Sequence, residues 1–231
     1  MNDERLGLPS ASSMDRVLRC PGSFLAEKAI PDKKSNASAK RGTKIHAVLE
    51  GSMPVDCLNH SDAITYNRIA HTEGRFVEEF DFEGSEVLHE KRMFYHDDDF
   101  RPMFSGKLDT LHLKDGRGLV VDYKTGRYDP IPIRNNWQLA TQAFLAAVHY
   151  DLKEVINLLI QPNASQPAQY MIVSRDKIMN AGEMIKEASR LAVKPNAQRH
   201  AGDIQCQWCK AKETCEAFIE RFGPIRKKAK A

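Results

Sequence analysis

Residues Lys107 to Lys124 read K-L-D-T-L-H-L-K-D-G-R-G-L-V-V-D-Y-K, and the fold turns on how this stretch pairs with itself. Two β-prone runs flank Asp115-Gly116, the strongest short-range signal for a two-residue type I′ hairpin turn. With those residues at the turn, Lys114 faces Arg117, Thr110 faces Val121 and Asp109 faces Asp122. Side chains alternate along a strand, so Lys124 shares a face with Asp122, and Lys107 with Asp109. Two aspartates opposed at about 5 Å in an effective dielectric of about 20 repel by roughly 3 kcal/mol. A divalent cation on oxygen ligands would offset that repulsion. The competing reading is an exposed hairpin whose carboxylates fan out into water.

Outward from the hairpin, a strand from Glu86 ends at the acidic turn Asp97-Asp98-Asp99 and completes a three-stranded meander; Glu90 on it reads as a surface or accessory acid. Pro130 and Pro132 hold the following linker extended. Trp137 to Tyr150 is an Ala-rich helix with Leu139, Ala143, Phe144 and Ala147 on one face. Val155 to Ile160 is apolar almost throughout, as a strand buried on both faces would be. Tyr170 to Val173 reads as a strand and Glu183 to Ala192 as an amphipathic helix. Upstream, helices are expected at Met14–Leu18 (capped by Ser12 or Ser13), over Phe24–Ile30, from Thr43 through Glu50, and over Asp62–Phe80, with Pro31 to Arg41 an exposed loop. The order predicts a mixed α/β fold, a sheet flanked by helices.

The chain has 231 residues, 42% hydrophobic and 28% charged, with a net charge of +3, which suits an ordinary globular protein. No apolar run reaches membrane-spanning length, and the N-terminus M-N-D-E-R-L-G-L lacks the pattern of a secretory signal, so a cytoplasmic setting without membrane partners is expected. Of the five cysteines, three are clustered as Cys206-x2-Cys209-x5-Cys215. In a reducing compartment such a triple reads as metal or cluster ligation. A fourth thiolate would come from Cys20, beside the Pro21-Gly22 turn, rather than Cys57. A zinc site using His200 with the triple, or unliganded thiols, are the alternatives. The tail Arg221 to Ala231 is basic, and either a solvated end or a phosphate contact.

Taken in order, S-x-M-x-x-x-x-x-C-P (Ser12 through Cys20-Pro21), G-T-x-x-H (Gly42, Thr43, His46), G-x-x-D (Gly106, Asp109), D-Y-K-T-G (Asp122 to Gly126), Gln138 on the next helix and the C-terminal cysteines form a series. This series resembles the RecB-like branch of the PD-(D/E)XK nucleases. It is most similar to phage and CRISPR-associated iron–sulfur exonucleases and to the AddB nuclease domain. Leu108 stands where the motif name has proline, and Gln142 where the family has tyrosine.

The resemblance implies a restriction-endonuclease-like sheet in a single nuclease domain over 1–231, with 12–30 and 200–220 forming a clasp and 221–231 a basic tail. It implies that His46, Asp109, Asp122 and the Tyr123 main-chain carbonyl bind Mg2+ or Mn2+, and that Asp109, Asp122 and Lys124 are catalytic. Gln138 and Lys107 would contact substrate, and Cys20, Cys206, Cys209 and Cys215 would hold a 4Fe–4S cluster, zinc being the lesser alternative. The implied activity is exonuclease hydrolysis of DNA with a free end, in recombination, repair or phage and CRISPR DNA processing, with a recombination or annealing protein as a possible partner. The implied setting is the cytoplasm of a bacterium or a phage-infected host. A non-catalytic, metal-stapled DNA- or partner-binding module is the other reading. Trp137 and Tyr128 either stack on bases or pack in the core.

Overall fold

The computed structural model describes residues 4–31, 36–126 and 131–225. Asp115 and Gly116 both take positive φ, 52° and 71°, as a type I′ turn requires. The strands on either side pair from Lys114–Arg117 to Thr110–Val121. The elements run α1 (Met14–Arg19), α2 (Ser23–Lys28), α3 (Ala37–Leu49), α4 (His60–Glu79), β1 (Glu86–His96), β2 (Pro102–Lys114) and β3 (Arg117–Tyr123). They continue α5 (Trp137–Tyr150), β4 (Glu154–Ile160), β5 (Ala168–Ser174), α6 (Arg175–Ala192), α7 (Asp203–Gln207) and α8 (Glu216–Phe222). Strand order in the sheet follows chain order, and β4 runs parallel to β3 while every other neighbour is antiparallel. The parallel step needs a crossover, which α5 supplies. This is the mixed α/β sheet with flanking helices that the element order predicted.

Each face of the sheet buries its own core. On one, Leu108, Leu111, Val120, Val155 and Leu159 pack with Met14 and Val17 of α1, Leu139, Phe144 and Leu145 of α5, and Ile178 and Ile185 of α6. On the other, Leu119, Val121, Tyr123, Ile156 and Ile160 pack with Ile45 of α3 and Ile69 and Phe76 of α4. Because β3 and β4 lie between both layers, nearly every residue of each is buried. That explains why β4 reads as a continuous apolar run rather than an alternation.

Several expectations need correcting. Six residues precede Thr43 in α3, which starts at Ala37 inside the segment expected to be loop, because the Asn36 side chain caps it by accepting from Ala39 N. Likewise α6 starts at Arg175, well before Glu183. Neither Ser12 nor Ser13 caps α1 with its side chain; Ser10 and Ser13 instead form a capping box around the 3-10 turn Ala11–Ser13. The largest departure is in the hairpin itself. The β2–β3 ladder stops at Thr110–Val121, so Asp109 and Asp122 do not form a ladder pair, and Asp109 Oδ2 instead accepts from Tyr123 N at 2.8 Å.

Candidate active site

A slip in the pleat builds the site. Gly106 and Leu108 face α5, whereas Thr110 and His112 reach Tyr123 and Glu73 on the α4 side. The β1–β2 ladder closes at His89–Thr110 and Lys91–Leu108 without the 90–109 pair between, and Glu90 there has φ 49°. A non-glycine residue in this region of backbone space costs about 1–3 kcal/mol and is held by its surroundings. The distortion aims Glu90 and Asp109 at the same place.

His46 arrives there from α3. Its Nδ1 stands 3.6 Å from Asp109 Oδ1 and 3.7 Å from Glu90 Oε1. Ligand atoms of His46, Glu90 and Asp109 lie within 4.8 Å of one another, and among the described residues no other trio of His, Cys, Asp or Glu comes so close. The His46 ring meets the Tyr123 ring edge-on at 5.8 Å, and the Tyr123 hydroxyl donates to Glu73 and is hydrogen-bonded to the Thr110 hydroxyl at 2.8 Å. Arg41, one helical turn before His46, bonds Asp62 and Thr65 of α4 and the Thr125 carbonyl just beyond β3, which fixes α3 against the strand end.

Asp122 lies beside this trio on the α5 side and is fully buried. Lys124 Nζ is 3.0 Å from its Oδ1 and 2.7 Å from its Oδ2, and Gln138 Nε2 donates to Oδ1. The contact at Oδ2 is an ion pair without hydrogen-bond alignment, so a buried carboxylate oxygen lacks an aimed donor. Gln138 also accepts from Lys124 at 3.4 Å, so it orients both groups; Gln142, one turn on, donates to the Lys107 carbonyl. Lys107 itself pairs with Glu90. Strand alternation sets Lys107 beside Asp109 and makes Glu90 a surface or accessory acid; the structure turns Glu90 inward. An acid on the strand opposite Asp109 was the only signal, and the backbone distortion that aims it is invisible in a sequence.

The electrostatics show a surplus of negative charge. Burial, then the neighbouring Asp122 charge, pushes the Asp109 carboxyl up to about 7. Burial disfavours the His46 imidazolium, but Glu90 and the two aspartates outweigh it and His46 ends raised. Burial likewise disfavours the Lys124 ammonium, yet Asp122 holds it above the ordinary lysine value. Glu90 is held below the usual carboxylate range by His46 and Lys107 despite burial. A buried carboxylate oxygen without an aimed donor, a carboxyl forced to hold its proton and an imidazole within ligand distance of two acids are a donor set that fits a divalent cation.

Ser12 lines both the pocket holding Lys124 and Gln138 and a groove of about 790 Å3 beside it. Arg5, Arg16, Lys28, Arg92 and Lys210 line that groove against only Glu4 and Glu27.

Cys20, Cys206, Cys209 and Cys215 surround one small cavity, with His200 beside them. Gly22 N donates to the Gln198 carbonyl at 2.9 Å, and a Cβ on Gly22 would meet the Ala197 carbonyl at 2.4 Å, so this docking of the two chain ends demands glycine. His200 N and Gly202 N donate to the sulfurs of Cys20 and Cys206. Burial pushes the Cys20 and Cys209 thiols up. Cys57 lies apart, its carbonyl bonded by Lys44. Trp137 lines a cavity beside β5, and Tyr128, Pro130 and the basic tail from Arg226 fall outside the described residues.

A protein of Eubacterium rectale assigned as an exonuclease superposes with a TM-score of 0.51 at 14% identity, covering 97% of this chain and 91% of its own. A looser likeness (TM-score 0.44, 13% identity, 79% of this chain and 86% of the other) is to LHK-Exo, an alkaline exonuclease from Laribacter hongkongensis, in complex with dAMP. The chain belongs to the family described as "Protein of unknown function (DUF2800)", whose model matches residues 7–79 and 73–228. Among the described residues no helix is long and apolar enough to cross a membrane.

Proposed function

We propose that this protein is a metal-dependent deoxyribonuclease of the RecB-like kind, acting as an exonuclease on DNA with a free end. The observation that carries the reading is the meeting of Asp109, Glu90 and His46 beside Asp122 and Lys124 at one end of the β2–β3 hairpin. The exonuclease assignment of the Eubacterium rectale relative points the same way. His46, Glu90, Asp109, Asp122 and the Tyr123 carbonyl would hold Mg2+ or Mn2+, the imidazole favouring Mn2+. When bound, the ion would supply Lewis-acid polarisation of the scissile phosphate and a lowered pKa for water. Lys124, held as an ammonium by Asp122, donates to phosphate oxygens and neutralises charge as the phosphorus–oxygen bond breaks. Gln138 keeps the amine and the carboxylate in register, and Lys107 passes between Glu90 and phosphate. The strand beyond the cut would lie in the basic groove past Ser12.

We read residues 12–30 and 200–220 of one nuclease domain as a clasp closed by a 4Fe–4S cluster. A single zinc with Zn–S of about 2.3 Å would draw four sulfurs to about 3.8 Å from one another. The four thiols line one cavity, no three of their sulfurs lie within 4.8 Å of one another, and Cys20 and Cys206 receive backbone N–H bonds, which suits a larger cage. The biological setting that fits is bacterial or phage DNA recombination, with an annealing protein as partner.

The test is digestion of end-labelled linear and closed circular DNA with Mg2+ or Mn2+. Cleavage of the linear form alone, absent in EDTA and in Asp122→Ala, is expected. DNA retention without cleavage under either ion would favour a non-catalytic binding module.

A further inference from the structure

Behind the active-site pocket a second cavity, of about 300 Å3, opens between the start of α5, β5 and α6. Asn136, the α5 cap, lines both. The walls are apolar, formed among others by Trp137, Met171 and Ile178. The innermost polar group is Asn157, in the middle of β4 between Val120 and Met171, 1% exposed and with its Oδ1 lacking any hydrogen-bond donor. A buried amide oxygen left unpaired is disfavoured until a water or a ligand supplies the donor. Arg134 and Lys177 lie at the exposed rim, no lining residue is acidic, and neither cation has an ion-pair partner among the described residues.

The demands of the cavity are specific: a flat apolar body, an N–H donor at its inner end and a negative charge at its mouth. We infer that the cavity binds a nucleotide, its base between Trp137 and the apolar wall with an N–H donated to Asn157 Oδ1, and its phosphate at Arg134 and Lys177. The nucleotide is either free or an unstacked unit of a strand. The site uses none of the carboxylates or Lys124, so it stands or falls separately from the nuclease reading.

The experiment is calorimetric titration of the full-length protein in EDTA with deoxyadenosine monophosphate, deoxyadenosine and deoxyribose 5-phosphate. The monophosphate should bind, the nucleoside bind more weakly, and the sugar phosphate not bind. Asn157→Leu, which keeps the size of the side chain and removes the amide, should weaken both base-containing ligands about tenfold or more. Lys177→Gln on the solvent side of α6 should weaken only the monophosphate, and Asp122→Ala should change nothing. No binding of the monophosphate, or equal binding by wild type and Asn157→Leu, overturns the inference. Should Asn157→Leu fail to fold, unchanged monophosphate affinity in a Lys177→Gln, Arg134→Gln double variant overturns it. A terminal 2-aminopurine in a single-stranded oligonucleotide separates the two sources. An emission change that depends on Asn157 assigns the site to a strand's own base, and binding of the mononucleotide alone assigns it to the free nucleotide.

Discussion

The carboxylate site and the cysteine clasp are organised in opposite ways. Asp122 sits on the β3–β4 ladder, Glu90 and Asp109 sit at a gap flanked by the pairs His89–Thr110 and Lys91–Leu108, and His46 is anchored through Arg41, so flanking ladders and ion pairs hold them in place. The four cysteines sit on or beside short helices at the two ends of the chain, joined chiefly by the Gly22–Gln198 contact and a bond from Lys210 N to Glu27. Like charges are thus crowded between paired strands in the first, while the thiols in the second are weakly framed and, under the proposed cluster, would depend on it. Removing a side chain should therefore cost chemistry at the carboxylates and cohesion at the cysteines.

The sharpest break of that contrast is Asp122→Ala or Lys124→Ala. Each should lower cleavage by at least about a thousandfold, some 4 kcal/mol in the barrier, with an unchanged circular-dichroism spectrum. Loss of fold together with activity would put the strand site in the same class as the clasp.

Next comes Cys206→Ser with Cys215→Ser. Under the proposed cluster, the wild type should absorb in the visible, the double variant should not, and its stability should fall by about 2–4 kcal/mol, as when a crosslink closing a long loop is lost. Residual activity per folded molecule should fall far less than in Lys124→Ala, and urea melts beside single-turnover assays measure both.

A smaller effect concerns pH. Asp109 titrates near 4 when unfolded but at about 7 when folded, so between those values the folded chain binds the extra proton. Metal-free stability should then fall as pH rises from about 4 toward 7 and remain low above it. His46, also raised, adds stability below its unfolded value that is lost as pH rises through its folded one. Asp109→Asn should flatten the trend and raise the melting temperature at pH 8 by a few degrees, on the order of 1–2 kcal/mol. A steeper slope in the variant would refute the crowding argument.

The smallest effect is expected from Glu90→Gln. Calorimetric Mn2+ affinity should weaken about tenfold, about 1.4 kcal/mol, with cleavage recovered at high Mn2+. Unchanged affinity would leave Glu90 as the counter-ion of Lys107 alone.

Residues 107–124 announce their hairpin because Asp-Gly has few alternatives between two β-prone runs, and β4 announces its burial because both faces demand apolar side chains. The role of Gln138 came only from the family resemblance, whereas the helix spacing in Trp137–Tyr150 coincides with α5. These are local facts, set by turn chemistry and by the period of the pattern. The inward turn of Glu90, the end of the ladder before Asp109–Asp122, the anchoring of His46 by Arg41 and the approach of Cys20 to residues 206–215 were decided by tertiary structure alone. Each depends on elements far apart in the chain pressing on one another. A backbone bent into a costly conformation is held only by the packing around it, and no local pattern encodes that pressure.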